Sequence, residues 1–522
     1  MAYRDRFLAR IVIWCVVCCE TFVLLAESPA FSATPEVVSP PSTDRPRTLS
    51  LSDAVMQALQ TNLDITVSRQ FKEARLSDIA FEQAKFDPSV SLAGRYDRHA
   101  TPLNRPLFGV TDSILTEPRL FDQNQTVVGL GLSKKFVTGT NLDFKFAGDR
   151  TFVGSRNNFL FNSAYTSEFK LNLTQPLLRD FGIDVNKTLI HIAQKNAMVE
   201  SHVFFDKVLA VIAAVEQTYW ELVFANENLK VVEDLLRAAK ELAVSNRARA
   251  KAGYIADVEV LHAEAGVASR TEQILIAQKA IKDQEDHLLN LLNPGEDVLM
   301  KDARLIPTDQ PIQAREPISL ERAKDMALER RPEVLQAQKN VEIGELHSNF
   351  SKNQLLPNLV LQATLGTAGL GEGFSDTARR SYEGDYYNYG AGVVLSYPLG
   401  NQAARSLNTR RQLEMHAAEA TLQSVRNKVI VGVKESVRRV QTDFQRIETT
   451  QSSRMLAEKQ LQAEQERYEA GLGTTIFLLT FQRDLAIARA GELRAVVDYN
   501  KSLSNLARQK ATTLERYNIA LQ

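Results

Sequence analysis

The side chains best spaced for chemistry are Glu259 and His262, in the run Glu259-Val260-Leu261-His262. Positions i and i+3 share one face of a helix, and Glu-x-x-His is the spacing with which helical bundles hold paired metal ions. A working centre takes a second such pair and further inward carboxylates. The chain carries a second copy of this segment, where the matching positions are Phe477 and Thr480, which cannot ligate as Glu and His do. The seven histidines are scattered, without a His-Glu-x-x-His run or a Cys/His cluster. Gly369-Leu370-Gly371-Glu372-Gly373 lacks the strand-to-helix context of a phosphate loop and reads as a flexible loop. No Ser/His/Asp arrangement emerges, and Arg410-Arg411 and Arg438-Arg439 read as solvated faces rather than binding sites. The expectation is a protein that is not an enzyme and holds neither a cofactor nor a metal.

The elements that carry these residues are long. From Asn186 to Asn293 the sequence reads as two helices folded back on each other at Ala252-Gly253-Tyr254. Val208, Ile212, Val215, Tyr219, Leu222, Leu229 and Leu236 keep the 4,3 spacing that lays one apolar stripe along a helix and winds it about partners. The composition of the 522 residues, 44% hydrophobic and 24% charged with a formal net charge of −1, points away from nucleic acid as a partner.

Arg4, Arg6 and Arg10 precede an apolar run from Ile11 to Ala26, and Ala30-Phe31-Ser32 offers the small residues a signal peptidase uses. Residues 1–32 therefore read as a secretory signal peptide. All three cysteines, Cys15, Cys18 and Cys19, fall inside it, which leaves the mature chain without a thiol. Val17 before Cys18, and Cys18 before Cys19, give no small residue ahead of a cysteine for lipid attachment. A proline-rich linker follows over 33–49. Ser50 caps a helix expected to run to about Phe86, ended by Pro88.

Beyond Pro88 the apolar period changes from helical to alternating. Val90, Leu92, Gly94 and Tyr96 fall on one face, and the same alternation recurs at Val128-Leu130-Leu132, Leu142-Phe144-Phe146 and Phe169-Leu171-Leu173. Val137 to Thr140 is a tight turn, whereas the connections from about Arg98 to Gln123 and from Arg150 to Ala164 are long. That asymmetry is the habit of outer-membrane barrels.

The sequence repeats. A shift of 269 places Ser50, Leu51, Ala54, Ala58, Leu59, Pro88 and Leu92 on Ser319, Leu320, Ala323, Ala327, Leu328, Pro357 and Leu361, identical throughout. Pro176-Leu177 matches Pro398-Leu399 at a shift of 222, so the first copy holds 269 − 222 = 47 more residues in its strand region. A shift of 218 puts Arg249, Ala252 and Gly253 on Arg467, Ala470 and Gly471, and Val215, Tyr219, Leu222 and Leu229 on Val433, Val437, Val440 and Ile447. The organisation is thus a first repeat over 50–293 (helix, strands about 88–176, helical hairpin 184–293) and a linker over 294–317. A second repeat follows over 318–513 (helix, strands about 357–398, helical hairpin 401–513), then a tail over 514–522.

No apolar run after residue 32 approaches the roughly 20 residues of a spanning helix. If the mature chain crosses a membrane it does so through strands, which in lipid must close into a barrel. Two strands in the second repeat and two or four in the first fall short of the roughly eight of the smallest membrane barrels, so several copies must pool their strands.

The duplicated pattern resembles the TolC outer-membrane efflux family over residues 50–513. The resemblance rests on Phe86-Asp87-Pro88 and Leu356-Pro357, Gln175-Pro176-Leu177 and Tyr397-Pro398-Leu399, and the paired turns Lys251-Ala252-Gly253 and Glu469-Ala470-Gly471. It implies an α+β membrane protein: a trimeric, 12-stranded β-barrel in outer-membrane lipid, continued by an α-helical coiled-coil periplasmic tunnel with two tandem repeats per chain. It also implies a homotrimer that docks on a periplasmic adaptor and an inner-membrane pump, for efflux or type I secretion. The adaptor-docking tip would fall on Gly253, Tyr254, Ile255 and Ala256 and on Gly471, Leu472, Gly473 and Thr474. Family members often ring the closed entrance with acidic residues after the turn. Here Glu259 fits, but Phe477 and Thr480 depart, which suggests a constriction mixing Glu259 with a Phe477 ring. The extra 47 residues either add a hairpin to each protomer's share of the barrel, giving six strands per chain, or stand as an extracellular or rim hairpin on the usual four. Alternating apolar faces suit membrane contact, but extracellular hairpins alternate too, and the second is the expectation. The rival reading is a soluble periplasmic coiled-coil scaffold or adaptor. A third, a periplasmic enzyme with a helical-bundle metal site, lacks its ligand pairs.

Overall fold

The computed structural model describes residues 47–103, 119–153, 160–161, 163–300, 304–384 and 386–519. The signal segment and nearly all of the leading linker lie outside the described residues, which fall in one compact unit. In chain order the elements are β1 (Arg47–Leu49), α1 (Leu51–Thr61), α2 (Leu63–Ala84), β2 (Ser89–Leu103), β3 (Arg119–Lys135), β4 (Asn141–Val153) and β5 (Ser163–Pro176). Then come α3 (Ile183–Lys251), α4 (Asp257–Leu292), α5 (Glu296–Leu299), β6 (Leu305–Pro307), α6 (Leu320–Arg330), α7 (Pro332–Asn353), β7 (Asn358–Gly371) and α8 (Phe374–Glu383). The chain ends with β8 (Tyr386–Ser396), α9 (Gln402–Glu469), α10 (Thr475–Gln509) and α11 (Thr513–Arg516).

The single helix expected from Ser50 to about Phe86 is two. Asn62 caps both sides of the break: its backbone N donates to Ala58 O at 2.9 Å and its Oδ1 accepts from Ile65 N at 3.2 Å, while its Nδ2 donates to Leu291 O at 2.8 Å. That side chain starts a new helix while pinning it to the end of α4. The second half makes the same break with Pro332, which sits at the first turn of α7, where a missing N–H costs nothing.

α3 and α9, of 69 and 68 residues, are each about 100 Å long at 1.5 Å per residue. The seam of α3 is buried at Val208, Ile212, Val215, Tyr219 and Leu222, then passes to Leu235, Ala239, Leu242 and Asn246. A straight 3.6-residue helix drifts against a 3.5-residue repeat, which moves the buried stripe round its surface.

Two segments expected to be loose are built in. The 294–317 linker is a strap: β6 pairs in parallel with β1, and Asp309 Oδ2 accepts from Leu51 N at 2.7 Å and from Tyr219 OH at 2.6 Å. Further along, Ile312 N donates to Asn500 Oδ1 and Tyr499 OH donates to Ala314 O. The strap thus spans both long hairpins. Burial and the Asp309 carboxylate push the Tyr219 phenol up to about 12. In the tail, Leu514 is buried and Tyr517 OH donates to Glu216 Oε1 at 2.6 Å.

The strands form one antiparallel sheet in the order β2-β3-β4-β5-β7-β8. Here the rim-hairpin expectation is corrected. β3 and β4 stand inside the sheet between β2 and β5, because their alternation matches that of their neighbours on both sides. The turn joining them is anchored at the base: Gly182 N donates to Thr138 O at 3.3 Å, and Lys134 Nζ donates to Phe86 O. Gly139, at φ +92, lies against Asp180 O and Asn186, where a Cβ would clash. The glycine-rich loop reading is corrected too. Gly371 ends a strand and Gly373 precedes α8, which packs back on the sheet with Thr377 and Ser381 buried against Ser167 and Gly369.

Candidate functional site: two hairpin tips and one sheet face

The two tips are built alike. After α3, Gly253 takes φ +80 and Tyr254 N donates to Arg249 O at 2.9 Å; after α9, Gly471 takes φ +76 and Leu472 N donates to Arg467 O at 2.9 Å. A left-handed residue past the last turn lets the next amide reach back five residues, and glycine adopts it without strain. Tyr254 and Leu472 project from the turns at 83% and 74% exposure. Ile255 and Gly473 are half-buried behind them, and Ala256 and Thr474 are the N-caps of α4 and α10.

One turn beyond, the copies part. Glu259 Oε2 accepts from Thr475 N at 2.9 Å, so its carboxylate caps the positive start of α10. That bond, rather than His262, engages the Glu-x-x-His pair. Phe477 is 58% exposed, and Thr480 Oγ1 donates to Ile476 O within its own helix at 2.8 Å.

Sequence reasoning missed the residues that bind the tips to each other. Asn246, fully buried, donates from Nδ2 to Glu259 O at 3.1 Å and to Thr475 Oγ1 at 2.8 Å, and its Oδ1 accepts from Tyr468 OH. Arg249 stacks over the Tyr468 ring at 5.3 Å. Leu242, Ala243, Ala263 and Leu478 close an apolar collar round this knot. Arg270, also buried, donates from Nη2 to Leu479 O at 3.0 Å. Burial, then the charge of Arg483, lowers its guanidinium from the usual value. The signal was present: Asn246 stands where the 4,3 spacing after Ala239 and Leu242 calls for an apolar residue, and a lone seam asparagine fixes register.

At the other end the sheet has two unlike faces. Ladder partners place Leu92, Leu130, Phe146, Phe169, Thr367 and Tyr387 in one row and Val90, Leu132, Phe144, Leu171, Leu365 and Tyr389 in the next, a face across six strands that is apolar in these rows except at Thr367. The opposite face carries Asp143, Lys145, Glu168, Lys170, Asn172, Gln362 and Asn388. No described helix is long and apolar enough to cross a membrane.

Comparison with known proteins agrees with this geometry. A family model described as outer membrane efflux protein matches residues 54–294 and 324–509. The pyoverdine export outer membrane protein OpmQ of Pseudomonas aeruginosa is 23% identical over 310 residues, 56% of this chain and 61% of that relative's length. The fold is that of the Campylobacter jejuni CmeC outer membrane channel, with TM-score 0.66, 15% identity, and 89% and 86% of the two chains covered. The outer membrane protein VceC of Vibrio cholerae matches with TM-score 0.62 and 15% identity over 88% of this chain and 95% of its own.

Proposed function

The chain belongs to the outer membrane efflux protein family, and from that premise we propose that it is the outer-membrane duct of an export system. Copies pool their sheets into a barrel in outer-membrane lipid, their hairpins form a periplasmic tunnel, and the assembly is a homotrimer. The observation that carries this reading is the two-faced sheet. Its apolar face suits hydrocarbon and its polar face suits a water-filled lumen, on a chain whose described helices are too polar to span. The helices also leave large apolar side chains exposed: Val67, Phe71 and Phe81 on α2, Leu275 and Ile276 on α4, and Val431 and Leu456 on α9. Such stripes on a long rod call for neighbours, which further copies supply.

Transport through the duct is passive, with energy supplied by an inner-membrane pump and contact made through a periplasmic adaptor. The adaptor meets the tips at Gly253, Tyr254, Ile255 and Ala256 and at Gly471, Leu472, Gly473 and Thr474. The entrance is narrowed by residues just behind them, with Phe477 facing the path and Glu259 and Thr480 beside it. The cargo is a small molecule or a polypeptide. A soluble scaffold shares the coiled coils but gives no reason for an apolar sheet face.

The test is extraction and sizing. The protein is expected to sediment with membranes, to require detergent, to elute as a trimer and to open ion-conducting pores in planar bilayers. Recovery as a soluble monomer without pores would sink the proposal.

A further inference from the structure

Resting on the channel reading, we infer that three copies close edge to edge into an 18-stranded barrel. β2 of each copy pairs antiparallel with β8 of the next, in a register that sets Ser89 against Ser396. The six strands of one copy are a single sheet, so three copies hold eighteen. A 12-stranded wall would need β2 to pair directly with β5, bypassing β3 and β4. Both ladders that hold β3 and β4 in place, Ser89–Leu103 on Arg119–Ser133 and Asn141–Phe152 on Ser163–Thr174, would have to break. The inserted strands also carry their share of the apolar face, at Leu130, Leu132, Phe144 and Phe146. A hairpin standing in water has no use for that continuity.

The edges are free. β8 is exposed along its whole length, and β2 is exposed from Ser89 to Pro102 apart from Asp97. Helix α8 covers only the outer end of the middle strands. In hydrocarbon an unpaired edge leaves a row of N–H and C=O groups without partners, so these edges must be joined, and each complements the other in direction.

The stagger of the sheet fits closure. From Ser89 the ladder partners run to Ser133, Asp143, Asn172, Thr364 and Gly390. From Gly390, β8 continues for 396 − 390 = 6 more residues before it ends at Ser396, next to the helical junction as Ser89 is. Six residues of stagger over six strands is one residue per strand. A rise of about 3.4 Å against a strand spacing of about 4.8 Å gives a tilt of about 35°, within the range of membrane barrels.

The proposed register also matches faces. It sets Val90 against Leu395, Leu92 against Val393, Gly94 against Ala391 and Tyr96 against Tyr389, so the apolar face passes from copy to copy unbroken. Diameter grows roughly linearly with strand number, so the wall is about 1.5 times as wide as the 12-stranded one.

The experiment uses the full chain purified from membranes in detergent. With Leu92→Cys and Val393→Cys together, mild oxidation is expected to convert most of the protein to covalent dimers and trimers, absent from each single-cysteine control. The mature chain is expected to carry no other thiol, and those controls also expose any chain that retains Cys15, Cys18 and Cys19 of the signal segment. Single-particle imaging of the unmodified trimer is expected to show eighteen strands. A trimer with twelve strands, or one without cross-links in the double variant, overturns the inference while leaving the channel standing. Absence of any trimer instead overturns the channel reading, and the inference with it.

Discussion

The two hairpin tips share a turn down to its hydrogen bonds, yet the residues behind it are put to opposite use. In the first copy Asn246 and Glu259 reach across to the second, one knotting Tyr468 and Thr475 and the other capping α10. Their counterparts at a shift of 218, Glu464 and Phe477, make no such bond across to the first copy; Glu464 Oε2 pairs instead with Arg467 of its own helix at 3.3 Å. Glu464 is buried with Oε1 unpartnered, and Phe477 is exposed. The two rods are nearly equal in length, 69 and 68 residues. Different side chains at a few seam positions make one the strut and leave Phe477 exposed behind the other's turn.

Removing the knot is the strongest way to break this asymmetry. Asn246→Leu strands Tyr468 OH and the Thr475 hydroxyl in an apolar collar, at a cost of about 3 kcal/mol. Hydrogen exchange of amides 257–262 and 475–480 is expected to quicken sharply, while the strap round Tyr219 stays protected; unchanged exchange at the tips would refute the strut.

A second test concerns the carboxylates that the long helices bury. Glu216 of α3 is raised above its ordinary value, first by burial, while its hydrogen bond to Tyr517 and the charge of Arg516 oppose the rise. A raised folded pKa means that the group's favourable contribution is full below the unfolded value of 4.5 and is lost as pH climbs through the folded value. Glu216→Gln, which removes the buried charge, is therefore expected to raise stability relative to wild type at pH 7.5. The advantage over wild type should vanish by pH 4 in matched thermal melts.

Glu259→Gln keeps an acceptor for Thr475 N but removes the charge at the start of α10, a loss of about 0.5–1 kcal/mol. Its expected signature is faster exchange confined to the first turn of α10 and more frequent pore opening in bilayers. The smallest effect on stability belongs to Phe477→Ala, below about 0.5 kcal/mol because the ring is exposed. Single-pore conductance should nevertheless rise, and a conductance equal to wild type would remove Phe477 from the constriction.

Much of this was legible in the sequence for identifiable reasons. Alternation from Val90 to Tyr96 and from Tyr387 to Leu395 marks strands, and the two Ala-Gly turns mark the tips, because period and glycine conformation are local properties. Asn62 was passed over because a mid-helix asparagine announces a break only when a distant carbonyl, here Leu291 O, is there to hold it. Glu259 read as a ligand or gate residue because its partner, the Thr475 amide, lies 216 residues away.

The sequence by itself determined the class of the protein: helices too polar to span a membrane, strands with one apolar face, and a duplicated design. Each follows from which side chains recur at which spacing. Tertiary structure alone decided that the surplus residues of the first copy enter the sheet between β2 and β5, and that one tip braces the other. Pairing partners and hydrogen bonds between distant segments depend on where the whole chain brings them together, and no local pattern carries that information.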